Sequence, residues 1–151
     1  MLVTTGTPMT IHGQIRALLN DRAAAITARD AQRAVAHYAP EVVSFSLAPP
    51  LRYAGDEVRD PAGIEGWFRT WDGPIGYDIG EPVIEAGDDV AFCHGLTHMT
   101  GTKTDGERVD LWFRSTVGLR RTALGWQITH EHDSTPFYMD GSARAATDLK
   151  P

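Results

Sequence analysis

Apolar residues recur three and four positions apart through the first half of the chain and then switch to every second position. Ile11, Ile15, Leu18, Leu19, Ala23 and Ile26 share one helical face, and Thr10 is placed to cap it, so the spacing predicts a helix over Thr10–Ala28. Asp30 can cap a second, shorter helix in which Ala31, Ala34, Val35 and Tyr38 align, with Pro40 as its stop. Val42–Leu47 alternates and reads as a strand, and Pro49-Pro50 and Gly55-Asp56 interrupt the chain after it. Asp60-Pro61 opens a third helix, along which Ile64, Trp67, Phe68 and Trp71 form an apolar stripe that Gly73-Pro74 ends.

From Tyr77 onward the period is two. The predicted strands are Tyr77–Glu85, Val90–Thr102, Arg108–Leu119 and Trp126–Ser134, with turn residues between them. Three helices followed by a meander describe an α+β domain, a curved antiparallel sheet with helices on one side. The domain spans residues 10–151, behind a flexible tail of residues 1–9.

Alternation gives each strand two faces. A hairpin loop at Thr104-Asp105-Gly106 pairs Lys103 with Glu107 and sets His94 opposite Thr116, Leu96 opposite Arg114 and His98 opposite Trp112. Pairing Arg121 with Trp126 in the next hairpin then sets Arg114 opposite Asp133 and Thr116 opposite Glu131. One face thereby collects Phe92, His94, Leu96, His98, Trp112, Arg114, Thr116, Thr129, Glu131 and Asp133. This mixture of aromatic wall, fixed cation, carboxylates and imidazoles suits a cavity lining. Arg114 and Asp133 would orient a substrate carbonyl, or else form a cross-strand ion pair contributing roughly 0.2–1 kcal/mol.

The opposite face collects Cys93, Leu111, Phe113, Ser115, Val117, Leu119, Trp126, Ile128, His130 and His132. His94 and His98 are ~13 Å apart along a strand, too far to share a metal ion. His130 and His132, ~6.7 Å apart, have no third ligand across from them. No metal site and no cofactor are expected. Cys93, the one cysteine, reads as a buried structural thiol, and nothing in the sequence demands an oxidising compartment. A cytoplasmic protein is expected.

Charge and hydropathy remove two classes of partner. A formal net charge of −6 disfavours nucleic acid, and no run approaches the ~18 apolar residues of a membrane span. The tail Phe137–Pro151 offers Asp140-Gly141-Ser142 as the cap of a short Ala-rich helix, placed either over the pocket or at a dimer edge.

The segments Leu47–Leu51, Gly66-Trp67-Phe68, Asp110–Thr116 and Trp126–Phe137 resemble the SnoaL-like, ketosteroid-isomerase-related branch of the nuclear transport factor 2-like superfamily. The resemblance implies a cone-shaped fold, a pocket between the helices and the sheet, and a homodimer through the other sheet face. Trp126–Ser134 is also similar to the final strand of the calmodulin-dependent kinase II association domain, which by analogy points Asp133 into the pocket, with His94 and Thr116 at matching positions. The base and oxyanion hole of the ketosteroid isomerases themselves have no counterpart that can be placed, and Arg108-Val109-Asp110 is on the wrong strand to serve as an epoxide hydrolase triplet. The expected function is acid–base isomerase, cyclase or dehydratase-like chemistry on a small apolar or aromatic carbonyl compound. Asp133 and His94 are the candidate bases and Arg114 the orienter, with Trp112, His98, Thr116, Glu131, Trp67, Tyr38 and Phe92 lining the pocket. The alternative is a ligand-binding or dimerisation module without catalysis.

Overall fold

The computed structural model describes residues 9–151, so the expected flexible tail lies, except for Met9, outside the described residues. Helix α1 (Ile11–Thr27) begins where Thr10 caps the Gly13 amide at 3.0 Å. Asp30 caps the short α2 (Ala31–Val35) through the Arg33 amide. Strand β1 (Tyr38–Phe45) follows, then β2 (Tyr53–Ala54), the one-turn α3 (Asp56–Arg59) and α4 (Pro61–Phe68), which Asp60 caps. Strands β3 (Trp71–Asp78), β4 (Val83–Ala86), β5 (Val90–Lys103), β6 (Arg108–Thr122) and β7 (Gly125–Ser134) complete the fold.

The strands form one seven-stranded sheet in the order β2-β1-β7-β6-β5-β3, with β4 pairing a second stretch of β5. Every pair is antiparallel except β1–β7, which is parallel. The helices cover one face of this curved sheet, giving the α+β cone. Ile15, Leu18 and Leu19 of α1 pack on Val42, Cys93, Val117, Leu119 and Ile128. Ala25, Ile26, Ala34, Phe68 and Trp71 form a second cluster with Ile75, Met99 and Phe113. Arg29 joins the two ends of the helical layer: its guanidinium donates to the carbonyls of Phe68, Trp71 and Gly73.

The sequence pattern misplaces several boundaries. Tyr38 begins β1 rather than extending α2, and Pro40 sits within β1, where the register to β7 shifts between Tyr38 and Val43. Trp71 and Gly73-Pro74 belong to β3, not to the end of α4; the register to β5 likewise shifts there, between Asp72 and Gly76. Trp71 lies so close to Gly101, whose φ is +150°, that any side chain at that glycine would collide with the indole. The predicted strand Tyr77–Glu85 is two strands, β3 and β4. The tail forms turns, not a helix, with Asp140 accepting from the Ser142 amide at 2.9 Å. It runs toward the start of β6, where Lys150 comes within 3.8 Å of Asp110.

Candidate functional site

The β5–β6 register is the one the Thr104–Gly106 turn predicts, with His94, Leu96 and His98 opposite Thr116, Arg114 and Trp112. The β6–β7 hairpin also starts as predicted, at Arg121 opposite Trp126. Between Leu119–Ile128 and Gly118–His130, however, the register shifts and Thr129 is left without an opposite residue. This bulge inverts the rest of β7 relative to its partner. Ser115, not Arg114, lies opposite Asp133, and Val117, not Thr116, lies opposite Glu131. The expected Arg114–Asp133 pair therefore does not form; Arg114 donates instead to Ser134 Oγ at 3.2 Å.

The bulge separates the predicted pocket residues. Phe92, His94, Leu96, His98, Trp112, Arg114 and Thr116 stand on the outer face, away from the helices, because the apolar side chains of Phe113, Val117 and Leu119 take the inner one. There His98 stacks on Trp112 with ring centroids 4.3 Å apart and reaches Asp110 at 2.6 Å, while His94 stacks with Phe92. His130 and His132 share the outer face and set their rings against Phe45; His130 Nδ1 lies 2.7 Å from the Val43 carbonyl. Trp67 packs on Phe68 and Trp71 in the second core cluster rather than lining a pocket. Of the predicted set, the structure gathers Tyr38, Glu131 and Asp133 on the inner side.

What joins them is Arg22, which the pattern of α1 does not single out as a site residue. Its one signal is positional: it lies three and four residues from Leu19, Leu18 and Ile26, a cation on the apolar stripe. Arg22 Nη2 donates to Tyr38 Oη at 2.6 Å and to Glu131 Oε2 at 2.7 Å. Tyr38 Oη and Ser44 Oγ donate to Glu131 Oε1 at 2.8 and 2.9 Å. Glu131 thus receives a cation and two hydroxyls inside the core, the condition under which a buried charge is tolerated. Burial opposes the charge on Arg22, yet Glu131 and its neighbours hold its pKa well above the ordinary value. Burial pushes both Tyr38 and Tyr77 upward. Arg22 Nε is buried without a hydrogen-bond partner.

Asp133 is treated differently by the same neighbourhood. Two residues beyond Glu131 on the inner side, it stands opposite Ser115 of β6, whose hydroxyl favours its charged form. Burial and the Glu131 charge push its pKa from 3.8 up to about 6, against the pull of Arg22 and Ser115. Asp133, beside a Glu131 held by Arg22 and two hydroxyls, is thereby a group able to exchange a proton near neutral pH.

A cleft runs between α1 and the inner sheet face beside these groups, lined by Leu19, Arg22, Ala23, Tyr77, Ile79, Pro82, Cys93, Gly95, Thr97, Ser115 and Val117. His94 borders it along β5, but its imidazole is on the far side of the strand. The Cys93 thiol, pushed up to about 11 by burial, is not a ready nucleophile. About 40 Å³ of the cleft is free, space for a few waters. Its roof is the turn between β3 and β4, which Arg16 ties to α1 through Glu81 at 2.7 Å. Asp133, behind Ser115 and not part of the cleft lining, borders an open groove of about 740 Å³ along the Phe45–Arg52 segment. Among the described residues no three His, Cys, Asp or Glu side chains converge as a metal site would require, and no helix is long and apolar enough to cross a membrane.

Solved structures of similar shape place this architecture. A nuclear transport factor 2-like protein of unknown function from Pseudomonas putida KT2440 is 31% identical, covering 95% of this chain and 100% of its own, with a TM-score of 0.81. A nuclear transport factor 2-like superfamily protein from Salmonella enterica shares the fold at 17% identity, covering 85% of this chain and 92% of its own, with a TM-score of 0.71. So does a ketosteroid isomerase-like protein from Erwinia carotovora at 24% identity, covering 80% of this chain and 92% of its own, with a TM-score of 0.66. No curated protein sequence matches the chain. The SnoaL-like domain family matches residues 15–138, and with that span and the cone built around it the chain belongs to the SnoaL-like family of the nuclear transport factor 2-like fold.

Proposed function

We propose that this protein binds a small, largely apolar carbonyl compound at the inner cleft and moves a proton on it with Asp133. The observation that carries this reading is the largely buried Asp133 carboxyl, its pKa raised to about 6, on the inner side opposite Ser115, which lines a cleft with apolar walls. A base with that affinity is mostly ionised at neutral pH yet still able to take and return a proton. In the reaction envisaged, the Asp133 carboxylate removes a proton from the carbon next to the carbonyl. In a β,γ-unsaturated compound the C–H electron pair passes into a dienolate, and Asp133, whose proton exchanges with solvent, returns a proton at the γ-carbon. The net change is an isomerisation with no cofactor and no external oxidant. The name of the Erwinia relative, ketosteroid isomerase-like, points the same way.

Deuterium exchange tests this even with the natural substrate unidentified. Small cyclic and aromatic ketones incubated with the protein in D2O should gain deuterium next to the carbonyl. Asp133→Asn should lower that rate by about 10²–10⁴-fold while preserving the fold. Undiminished exchange in the variant would remove Asp133 from the chemistry.

A second role rests on the outer face, where Phe92 is 51% and Leu96 45% exposed beside the His98–Trp112 stack. Large apolar side chains held in a row on a rigid sheet favour association with a second copy of the chain. Light scattering should give a dimer mass that the double substitution Phe92→Asp, Leu96→Asp reduces to a monomer; a monomeric parent protein would refute the role.

A further inference from the structure

The Arg22 guanidinium is only half used. Arg22 lines the cleft; its Nη2 holds Tyr38 and Glu131, and its Nε is buried without an acceptor. A buried N–H donor left unpaired costs free energy, about as much as a hydrogen bond to a charged group contributes when made. The groups around it limit what the acceptor can be. Leu19, Ala23, Ile79, Pro82 and Val117 make most of the wall apolar, so the body of a ligand must be apolar too. Of the ionisable groups around the cleft, Arg22, Tyr77 and Cys93 line it from α1, β3 and β5, while Tyr38 and Glu131 stand behind Arg22 and Asp133 stands behind Ser115. Burial keeps the two phenols and the thiol neutral. One cation therefore stands against two carboxyls, and once Asp133 is ionised the site carries a net negative charge.

We infer that Arg22 Nε is the anchor for the oxygen of a neutral ligand, and that the cleft selects a compact apolar molecule with one hydrogen-bond-accepting oxygen over the same molecule bearing a carboxylate. The inference rests on the cleft being the ligand site of the proposed reaction, and it adds the residue that fixes orientation and the charge class that is refused. A carboxylate would gain the same Nε contact but meet Glu131 and Asp133 without a free cation. A hydrocarbon would fill the same walls and leave Nε unpaired. The neutral oxygen satisfies the donor without adding charge. Arg22 is thus a specificity residue whose other edge stays locked in the Glu131 network, so the anchor is pre-oriented before a ligand arrives.

Three probes of similar size separate these cases: acetophenone, benzoate and ethylbenzene, titrated into uniformly ¹⁵N-labelled full-length protein. The Arg22 Nε–H resonance should move with acetophenone and not with ethylbenzene. Acetophenone should bind about tenfold more tightly than either other probe, the ratio one hydrogen bond to a charged group supplies. Arg22→Lys keeps a cation for Glu131 but removes Nε; it should bring acetophenone down to the ethylbenzene affinity and leave ethylbenzene unchanged. Should Arg22→Lys not fold, the wild-type Nε–H resonance and the ketone-to-hydrocarbon ratio decide by themselves. Equal binding of ketone and hydrocarbon, or an Nε–H signal unmoved at ketone saturation, overturns the anchor. The proton-transfer reading then stands or falls separately on deuterium exchange in Asp133→Asn. If no probe perturbs cleft residues even at tens of millimolar, the anchor and the cleft as ligand site both fall.

Discussion

The two faces of the sheet carry opposite mixtures from those their composition suggests. The outer face holds the conspicuous groups, His94, Arg114 and His132 exposed and His98, Trp112 and His130 half-buried, partnered by stacking or by single neighbours. The inner face is chiefly apolar, yet it carries Glu131 and Asp133, against which α1 sets Arg22. A charge among aliphatics has few partners and a low local dielectric, so its energetics are steep; the same charge outside is screened and worth little. Chemistry is accordingly to be sought where polar groups are few and buried.

The contrast can be broken most strongly at the Arg22–Glu131 pair. Arg22→Ala strands the Glu131 carboxylate with only two hydroxyls and should destabilise the domain by about 3–5 kcal/mol. The double variant Arg22→Met, Glu131→Leu should recover most of that loss, because neither charge then remains buried alone. Urea unfolding of the two proteins checks this. Equal losses in the single and double variants would mean that side-chain volume, not charge, holds the site together. By comparison, Arg114→Ala on the outer face should change stability by no more than about 0.5 kcal/mol.

Asp133 sharpens the comparison through pH. Its folded pKa, about 6, lies above its ordinary 3.8, so the folded state binds this proton more readily than the unfolded chain. Its contribution to stability is therefore most favourable below pH 3.8, declines as pH rises through the window from 3.8 to 6, and is fully unfavourable above it. The shift corresponds to about 3 kcal/mol. Asp133→Asn, which cannot ionise, should be more stable than wild type at about pH 7.5 by up to that amount and converge with it near pH 4. Taking the difference between the two proteins isolates Asp133 from Asp21 and Asp110, whose hydrogen-bonded partners lower their pKa values instead. Parallel stability curves would show that solvent reaches the carboxyl freely.

Much of this architecture is legible in residue spacing. The caps at Thr10, Asp30 and Asp60, the Thr104–Gly106 hairpin and the Arg121–Trp126 pairing come from local rules and agree with the structure. Face assignment is a long-range property that one residue can reverse. Thr129 carries no glycine or proline signal, and its bulge exchanges the surroundings of everything between His130 and Ser134. Family resemblance assigns Asp133 to the pocket side, and it does lie on the inner side with Glu131, but Arg114 and Thr116, the cross-strand neighbours that regular alternation gives this pair, do not. Helical spacing places Tyr38 on α2, yet the residue reaches the network from β1, since a side chain's destination can survive an error in its secondary structure. Arg22 escapes a sequence reading because a single cation on an amphipathic helix reads as tolerated rather than required.

The smallest expected effect concerns the route by which a ligand reaches the inner face at all. The cleft's free space of about 40 Å³ is too small for acetophenone, so the β3–β4 turn over it must move aside. That turn is tied to α1 by Arg16 and Glu81, an exposed pair with Glu81 almost fully in solvent. Removing it with Glu81→Ala should cost less than about 1 kcal/mol of stability, as exposed pairs do. It should nevertheless raise the association rate of acetophenone about twofold, because the tie restrains the segment that must swing. Relaxation measurements by NMR compare the rates directly, and the same gain should appear in wild type at high salt, where the pair is screened. An association rate insensitive to both changes would mean that ligands reach Asp133 from the Phe45–Arg52 groove, and the inner and outer faces would then communicate through Asp133 rather than be separated by it.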